Sequence, residues 1–106
     1  MASWKVIITE KAQLEFLNMK KKGLLTKEDQ DIIYIWTKEI LTNGLSNILD
    51  SKKWNDHKLE GNWKGYRSSS FSFKGRIIYK VENQKILVEV VRITTSHDYT
   101  KGKTDG

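Results

Sequence analysis

Along the first half of the chain apolar residues recur every three or four positions, and along the second half every two. Trp4–Thr9 (WKVIIT) precedes both patterns as a short β-branched run, which predicts a strand buried on both faces and so central in a sheet. Thr9 can cap a helix that runs to Gly23, with Ala12, Phe16 and Met19 on one face. Lys20–Lys22 stand at its end, where cations oppose the helix dipole, and Gly23 is the expected left-handed terminator. Thr26 opens a second helix. Glu28, Asp29 and Asp31 occupy its first turns, and Ile33, Trp36 and Ile40 form a stripe towards Asn43–Gly44. The short connection makes the two helices antiparallel. Leu45–Asp56 reads as a loop with at most a short helix, set on the core by Leu45, Ile48 and Leu49.

Three strands follow between His57 and Tyr99. A two-residue turn at Asn83–Gln84 sets Val81 opposite Ile86, Tyr79 opposite Val88 and Ile77 opposite Val90, an apolar face for the helices. Arg76, Ile78 and Lys80 then face the other way. In the strand before, a three-residue turn at Phe73–Gly75 sends Phe71 and Phe73 inward and Ser68, Ser70 and Ser72 outward. A two-residue turn at Lys74–Gly75 would bury the serines instead, which is unfavourable. Arg67 starts on the core side and must snorkel to solvent. The pattern predicts a single α+β domain over residues 1–106: a small antiparallel sheet with an N-terminal strand, a two-helix hairpin on one face and three C-terminal strands (β-α-α-β-β-β).

Charge sharpens this picture. The net charge is +6, yet residues 1–51 carry seven Lys/Arg against seven Asp/Glu, and residues 52–106 carry twelve against six. An excess confined to one half points to a polyanionic partner: nucleic acid, an acidic membrane surface or an acidic protein. No run approaches a membrane span, and Met1–Glu10 lacks the pattern of a signal peptide. With no cysteine, the expectation is a cytoplasmic protein without disulfides, thiolate metal sites or a cysteine nucleophile.

The candidate chemistry is correspondingly narrow. The two histidines are isolated, no metal-ligand spacing or glycine-rich phosphate loop is present, and no cofactor is implied. Acid–base and electrostatic chemistry on a phosphodiester remains. RNA transesterification needs a base for the 2′-hydroxyl, stabilisation of the phosphorane and a proton for the leaving 5′-oxygen. Histidine serves the first and last of these, and Arg76 the second. Lys58, Lys64 and Lys80 suit flanking phosphates. Each residue also has a plainer reading: a solvated histidine, a cross-strand partner for Glu82 or Glu89, a Tyr99 that covers the sheet edge, Trp63 and Tyr66 as core and corner. The residues alone stop at a basic α+β domain with a candidate RNA site.

DHKLEGNWKGYRS (Asp56–Ser68), GRIIYKV (Gly75–Val81) and TSHDY (Thr95–Tyr99) resemble the RelE/ParE toxin superfamily of type II toxin–antitoxin systems, nearest to its YafQ-like members; with the helix pair after a first strand, the resemblance covers nearly the whole chain. The resemblance implies a toxin that is an mRNA interferase, cutting mRNA in the ribosomal A site. It also implies a cognate antitoxin whose C-terminal segment covers the basic groove, and operator DNA bound only through the antitoxin complex. It implies His97 as general acid or base, His57 as a second site histidine, Arg76 against the scissile phosphate and Tyr99 orienting substrate or sharing the proton. Lys58, Lys64, Arg67, Ser70 and Lys80 are the implied RNA-binding set. The sequence departs from the pattern in two places: Ser70 stands where YafQ-like toxins have another histidine, and Lys74–Gly75 replace an Asp-Trp pair. ParE-like relatives poison DNA gyrase without the catalytic cluster, and a non-catalytic RNA-binding protein of the same fold is the third alternative.

Overall fold

Two threonines decide where the helices begin. Thr9 Oγ1 accepts from the Ala12 amide at 3.2 Å and starts α1 (Glu10–Lys21). Thr26 accepts from the Asp29 amide while the Asp29 carboxylate accepts from the Thr26 amide, both at 3.0 Å, and this reciprocal cap starts α2 (Lys27–Asn43). Gly23, at φ +75°, follows the end of α1 as expected. Gly44 ends α2 at φ +82°, and a Cβ there would stand 2.7 Å from the Trp4 indole nitrogen, so only glycine fits.

The computed structural model describes residues 4–82 and 87–95. After α2 come α3 (Ser46–Asp50) and a 3-10 turn (Lys52–Trp54), in agreement with the loop and short helix read from Leu45–Asp56. The strands are β1 (Lys5–Ile8), β2 (His57–Lys58), β3 (Arg67–Ser70), β4 (Arg76–Glu82) and β5 (Leu87–Thr94), with a second 3-10 turn, Gly61–Trp63, before β3. They form one sheet in the order β1-β5-β4-β3-β2, with β1 parallel to β5 and the other neighbours antiparallel. The architecture is therefore the α+β arrangement expected, with the two-residue β2 added at one edge.

Both long helices pack on the same face. Ala12 from α1 and Ile33, Trp36 and Ile40 from α2 meet Ile77, Tyr79 and Ile93 of the sheet, closed below by Leu45, Ile48 and Trp54. The opposite face has a small cover of its own. Leu59 and Trp63, from the segment between β2 and β3, bury Ile78 completely, with half-buried Tyr66 against them.

Four expectations are corrected. β1 is an edge strand: Ile7 is 49% exposed and only Val6 and Ile8 reach the core, so Ile7 made an alternating strand look like a continuous apolar run. β4 and β5 pair from Glu82↔Leu87, two residues further along than a two-residue turn would allow, and an irregularity between Ile78 and Tyr79 brings Ile93 opposite Ile77. The shift of two keeps Ile77, Tyr79 and Val81 on one face. β3 and β4 pair from Ser70↔Arg76, leaving Phe71–Gly75 as the loop; Phe71 is buried as expected, but Phe73 is 89% exposed. Arg67 does not snorkel. It finds an acid inside the fold.

That acid is Asp56, whose side chain has no exposed surface. Its Oδ1 accepts from Arg67 Nε at 2.6 Å, and its Oδ2 accepts from Ser69 Oγ at 2.6 Å and Tyr79 Oη at 2.5 Å. Ser69 in turn accepts from Trp36 Nε1 at 2.9 Å, and the Trp36 and Tyr79 rings meet edge to face at 5.2 Å. One carboxylate thus joins α2, β3, β4 and the segment leading into β2. Three donors offset the cost of burying it.

Removing the carboxylate leaves Arg67 unpaired with 23% of its side chain exposed. Asp56→Ala is expected to destabilise the fold by about 3 kcal/mol, the lower end for a broken buried pair because the arginine retains some water. Urea unfolding checks this; a loss below about 1 kcal/mol would mean that the pair contributes no more than a surface salt bridge. Burial first, and then the Asp56 hydrogen bond and charge, push the Tyr79 phenol far above its ordinary range. The folded state therefore holds the proton, so the stabilisation is complete below about pH 10 and is lost as pH rises beyond it. Parent stability is expected to fall more steeply than that of Tyr79→Phe between about pH 9 and about pH 11. Parallel slopes in urea titrations would contradict the buried phenol–carboxylate contact.

Candidate functional site

The chain enters β2 through Asn55, at φ 45° and ψ 43° in the left-handed region, which asparagine tolerates better than most residues. This turn brings the Asn55 carbonyl to 3.0 Å from His57 Nδ1. A carbonyl only accepts, so Nδ1 is assigned the proton, and Nε2 of the neutral ring keeps its lone pair. His57 is exposed on the edge strand. The local backbone thus selects the tautomer of an imidazole open to solvent.

Register places the remaining residues. His57 pairs with Ser68 and Ser68 with Ile78, while Ser70 pairs with Arg76 one two-residue step further on. His57, Ser70, Arg76 and Lys80 accordingly share the face away from the helices, as the alternation in β4 implied. Ser68 is fully buried there, and its hydroxyl has no hydrogen-bond partner among the described residues. Lys58 pairs with Arg67, and both belong to the opposite face. Lys58, Lys64, Tyr66 and Arg67 nevertheless line one hollow of about 640 Å³ at the β2 edge, floored by Leu45, Leu49, Leu59 and Val81. Lys80 stands over the Tyr66 ring at 5.9 Å and 4.0 Å from Glu82. Trp63 is a core residue with its ring edge-on to Tyr66 at 5.1 Å. His97 and Tyr99 lie outside the described residues, three and five positions after Thr94, which pairs with Arg76.

Arg76 has an occupation that the sequence did not announce. Its Nη1 donates to the carbonyls of Ser72 and Phe73 at 3.2 Å each and of Gly75 at 2.9 Å, so one end of the guanidinium fixes the β3–β4 loop. Nε and Nη2 have no partner among the described residues. At the far edge Glu15 of α1 bonds both Arg92 Nε and the Ile93 amide, supplying an acceptor to β5 where β1 has ended. Asn55 was not singled out from the sequence, Asp56 entered only as the first residue of a motif, and Phe73 only as an inward-facing turn residue. The available signal for Asp56 was the inward direction of Arg67, because an inward arginine requires a buried acid.

Among the described residues there is no cluster of His, Asp or Glu that could hold a metal ion, and no helix is long and apolar enough to cross a membrane.

No protein-family model matches the chain, and no curated protein matches it in sequence. Solved structures match its shape. YafQ from E. coli BL21(DE3) superposes with a TM-score of 0.72 at 20% identity, covering 91% of this chain and 97% of YafQ. A chain of the E. coli DinJ–YafQ toxin–antitoxin complex gives 0.66 at 20% identity over 86% and 90%. A chain of the YoeB–YefM complex from Staphylococcus aureus gives 0.59 at 20% identity over 88% and 97%. The chain shares the fold of these solved structures, in agreement with the fold that the resemblance implied.

The tautomer assignment is testable without any activity. In ¹⁵N imidazole spectra, neutral His57 is expected as the Nδ1–H form in the parent and in Asn55→Gly, which keeps the left-handed turn, and to lose that preference in Asn55→Val. An Nε2–H ring in the parent would contradict the assignment.

Proposed function

We propose that this chain is the toxin of a toxin–antitoxin pair and a metal-independent endoribonuclease that cuts mRNA in the ribosomal A site, acting in the cytoplasm. The observation that carries the reading is His57: an exposed imidazole with its Nδ1–H committed to a carbonyl and Nε2 open, on the same sheet face as Arg76. The fold shared with YafQ and YoeB supports it.

In this reading Nε2 of His57 takes the proton of the 2′-hydroxyl, and O2′ attacks the adjacent phosphorus. The bond to O5′ breaks as that oxygen receives a proton from His97, with Tyr99 orienting the substrate. The products are a 2′,3′-cyclic phosphate and a 5′-hydroxyl, and no metal or covalent enzyme intermediate enters the step. Nε and Nη2 of Arg76 face the phosphorane charge while Nη1 stays on the loop. Ser70 shares that face and can donate to a phosphate oxygen. Lys58, Lys64 and Arg67 hold flanking phosphates along the β2 edge, and Lys80 lies on the groove side. The partner is an antitoxin whose segment covers this face, as suggested by neighbours solved as DinJ–YafQ and YoeB–YefM complexes. Operator DNA is bound through that complex.

The test is induced expression of the parent, His57→Ala and His97→Ala, with translation and transcript integrity measured together. The parent is expected to halt translation with mRNA cut within codons. Each variant is expected to lose about 10²-fold or more in cleavage, the usual contribution of a positioned acid or base. Intact transcripts accompanied by a DNA-damage response would replace this reading with gyrase poisoning, and the absence of any phenotype would replace it with simple binding.

A further inference from the structure

The loop between β3 and β4 holds a phenylalanine out in water. Phe73 is 89% exposed, well beyond the next most exposed large hydrophobic described, Tyr34 at 64%. A floppy loop would let such a ring fold down, but this loop is fixed. Arg76 Nη1 holds three of its carbonyls, the Gly75 amide donates to Ser72 Oγ at 2.9 Å, and the Phe71 amide donates to the Gly75 carbonyl at 3.1 Å. Phe71 is 3% exposed and plugs the loop into the core so closely that a Cβ on Gly75 would run into its ring. The two phenylalanines of one five-residue loop thus do opposite things: Phe71 anchors and Phe73 is presented.

We propose that Phe73 is a stacking platform for an unpaired nucleobase of single-stranded RNA. A rigid, solvated aromatic loses little conformational freedom when a partner covers it, and every base offers it a π-face. The cations beside it select a nucleic acid over an apolar protein surface. Exposed Lys74 follows Phe73 in the loop, and Arg76, whose Nε and Nη2 are unengaged among the described residues, stands at its base. Phosphates on either side of a stacked base would meet both. Arg76 and His57 share a sheet face, so an RNA strand lying between them leads from the imidazole to the ring. In this account Arg76 is also a positioning residue for Phe73, through the loop carbonyls that it holds.

The inference rests on the RNA reading of this face but not on cleavage. Its test therefore uses a mixed-sequence 2′-O-methyl hexanucleotide, which lacks the attacking hydroxyl. Phe73→Ser is expected to bind this probe about tenfold more weakly than the parent, within the range for loss of one stacked base. Its urea midpoint should be unchanged, because the ring touches little. Phe73→Trp is expected to bind like the parent, and its added emission to be quenched when the hexanucleotide is present. Parent-like affinity in Phe73→Ser, an unquenched Phe73→Trp, or no binding by the parent would each overturn the proposal. So would a Phe73→Ser variant whose only defect is weaker binding to a protein partner. Cleavage in cells is read separately, from transcript integrity, so failure of the stacking proposal and failure of the nuclease reading give different results.

Discussion

A carboxylate with no exposed surface is the point through which the fold is tied together. Asp56 accepts from an arginine of β3, a serine of β3 and a tyrosine of β4, and the serine passes the contact to a tryptophan of α2. Without those donors the charge could not remain inside; without the charge, Arg67, Ser69 and Tyr79, which strand alternation turns towards the helices, would lose the acceptor they share. Its place in the chain is what gives it functional weight. The residue before it makes the left-handed turn and the residue after it is His57. An anchored carboxylate therefore sits between the carbonyl that fixes the imidazole tautomer and the imidazole itself.

The two faces of the sheet divide the labour. On the helix face the described residues form the main apolar core, and the Asp56 network is set into it. On the other face Leu59 and Trp63 cover Ile78, its neighbour Ser68 is also fully buried, and the row beyond them carries Ser70 and Arg76. Arg76 divides its guanidinium: one nitrogen holds the loop carbonyls, and Nε and Nη2 have no partner among the described residues. A lysine could not divide itself in this way, because its donors leave a single point.

Much of this was legible in the sequence because it depends on period and caps. Thr9, Thr26, Gly23 and the Ile33–Trp36–Ile40 stripe set the helices, and the alternation Ile77–Tyr79–Val81 set the sheet face even though the assumed turn was two residues too tight; an even shift leaves faces unchanged. What was not legible depended on partners distant in sequence. Ile7 made β1 look central when it is at the edge. Phe73 was turned inward on apolarity alone, although the five-residue loop had already buried Phe71. Arg67 was correctly placed inward, but its acid lies eleven residues earlier, in a stretch with no periodicity. The site divides in the same way. Alternation grouped Arg76 with Lys80, whereas the His57–Asn55 contact depends on one backbone angle that no residue pattern encodes.

The proposed function turns on an imidazole with an open Nε2 that would let this fold break RNA by attack of the RNA's own 2′-oxygen. The most direct measurement is the chemistry of the RNA ends left after induction of the protein. New 5′-hydroxyl ends are expected, each matched upstream by a 2′,3′-cyclic phosphate. Ends bearing 5′-phosphate and 3′-hydroxyl would show that water, not the neighbouring hydroxyl, attacked the phosphorus, and would contradict it.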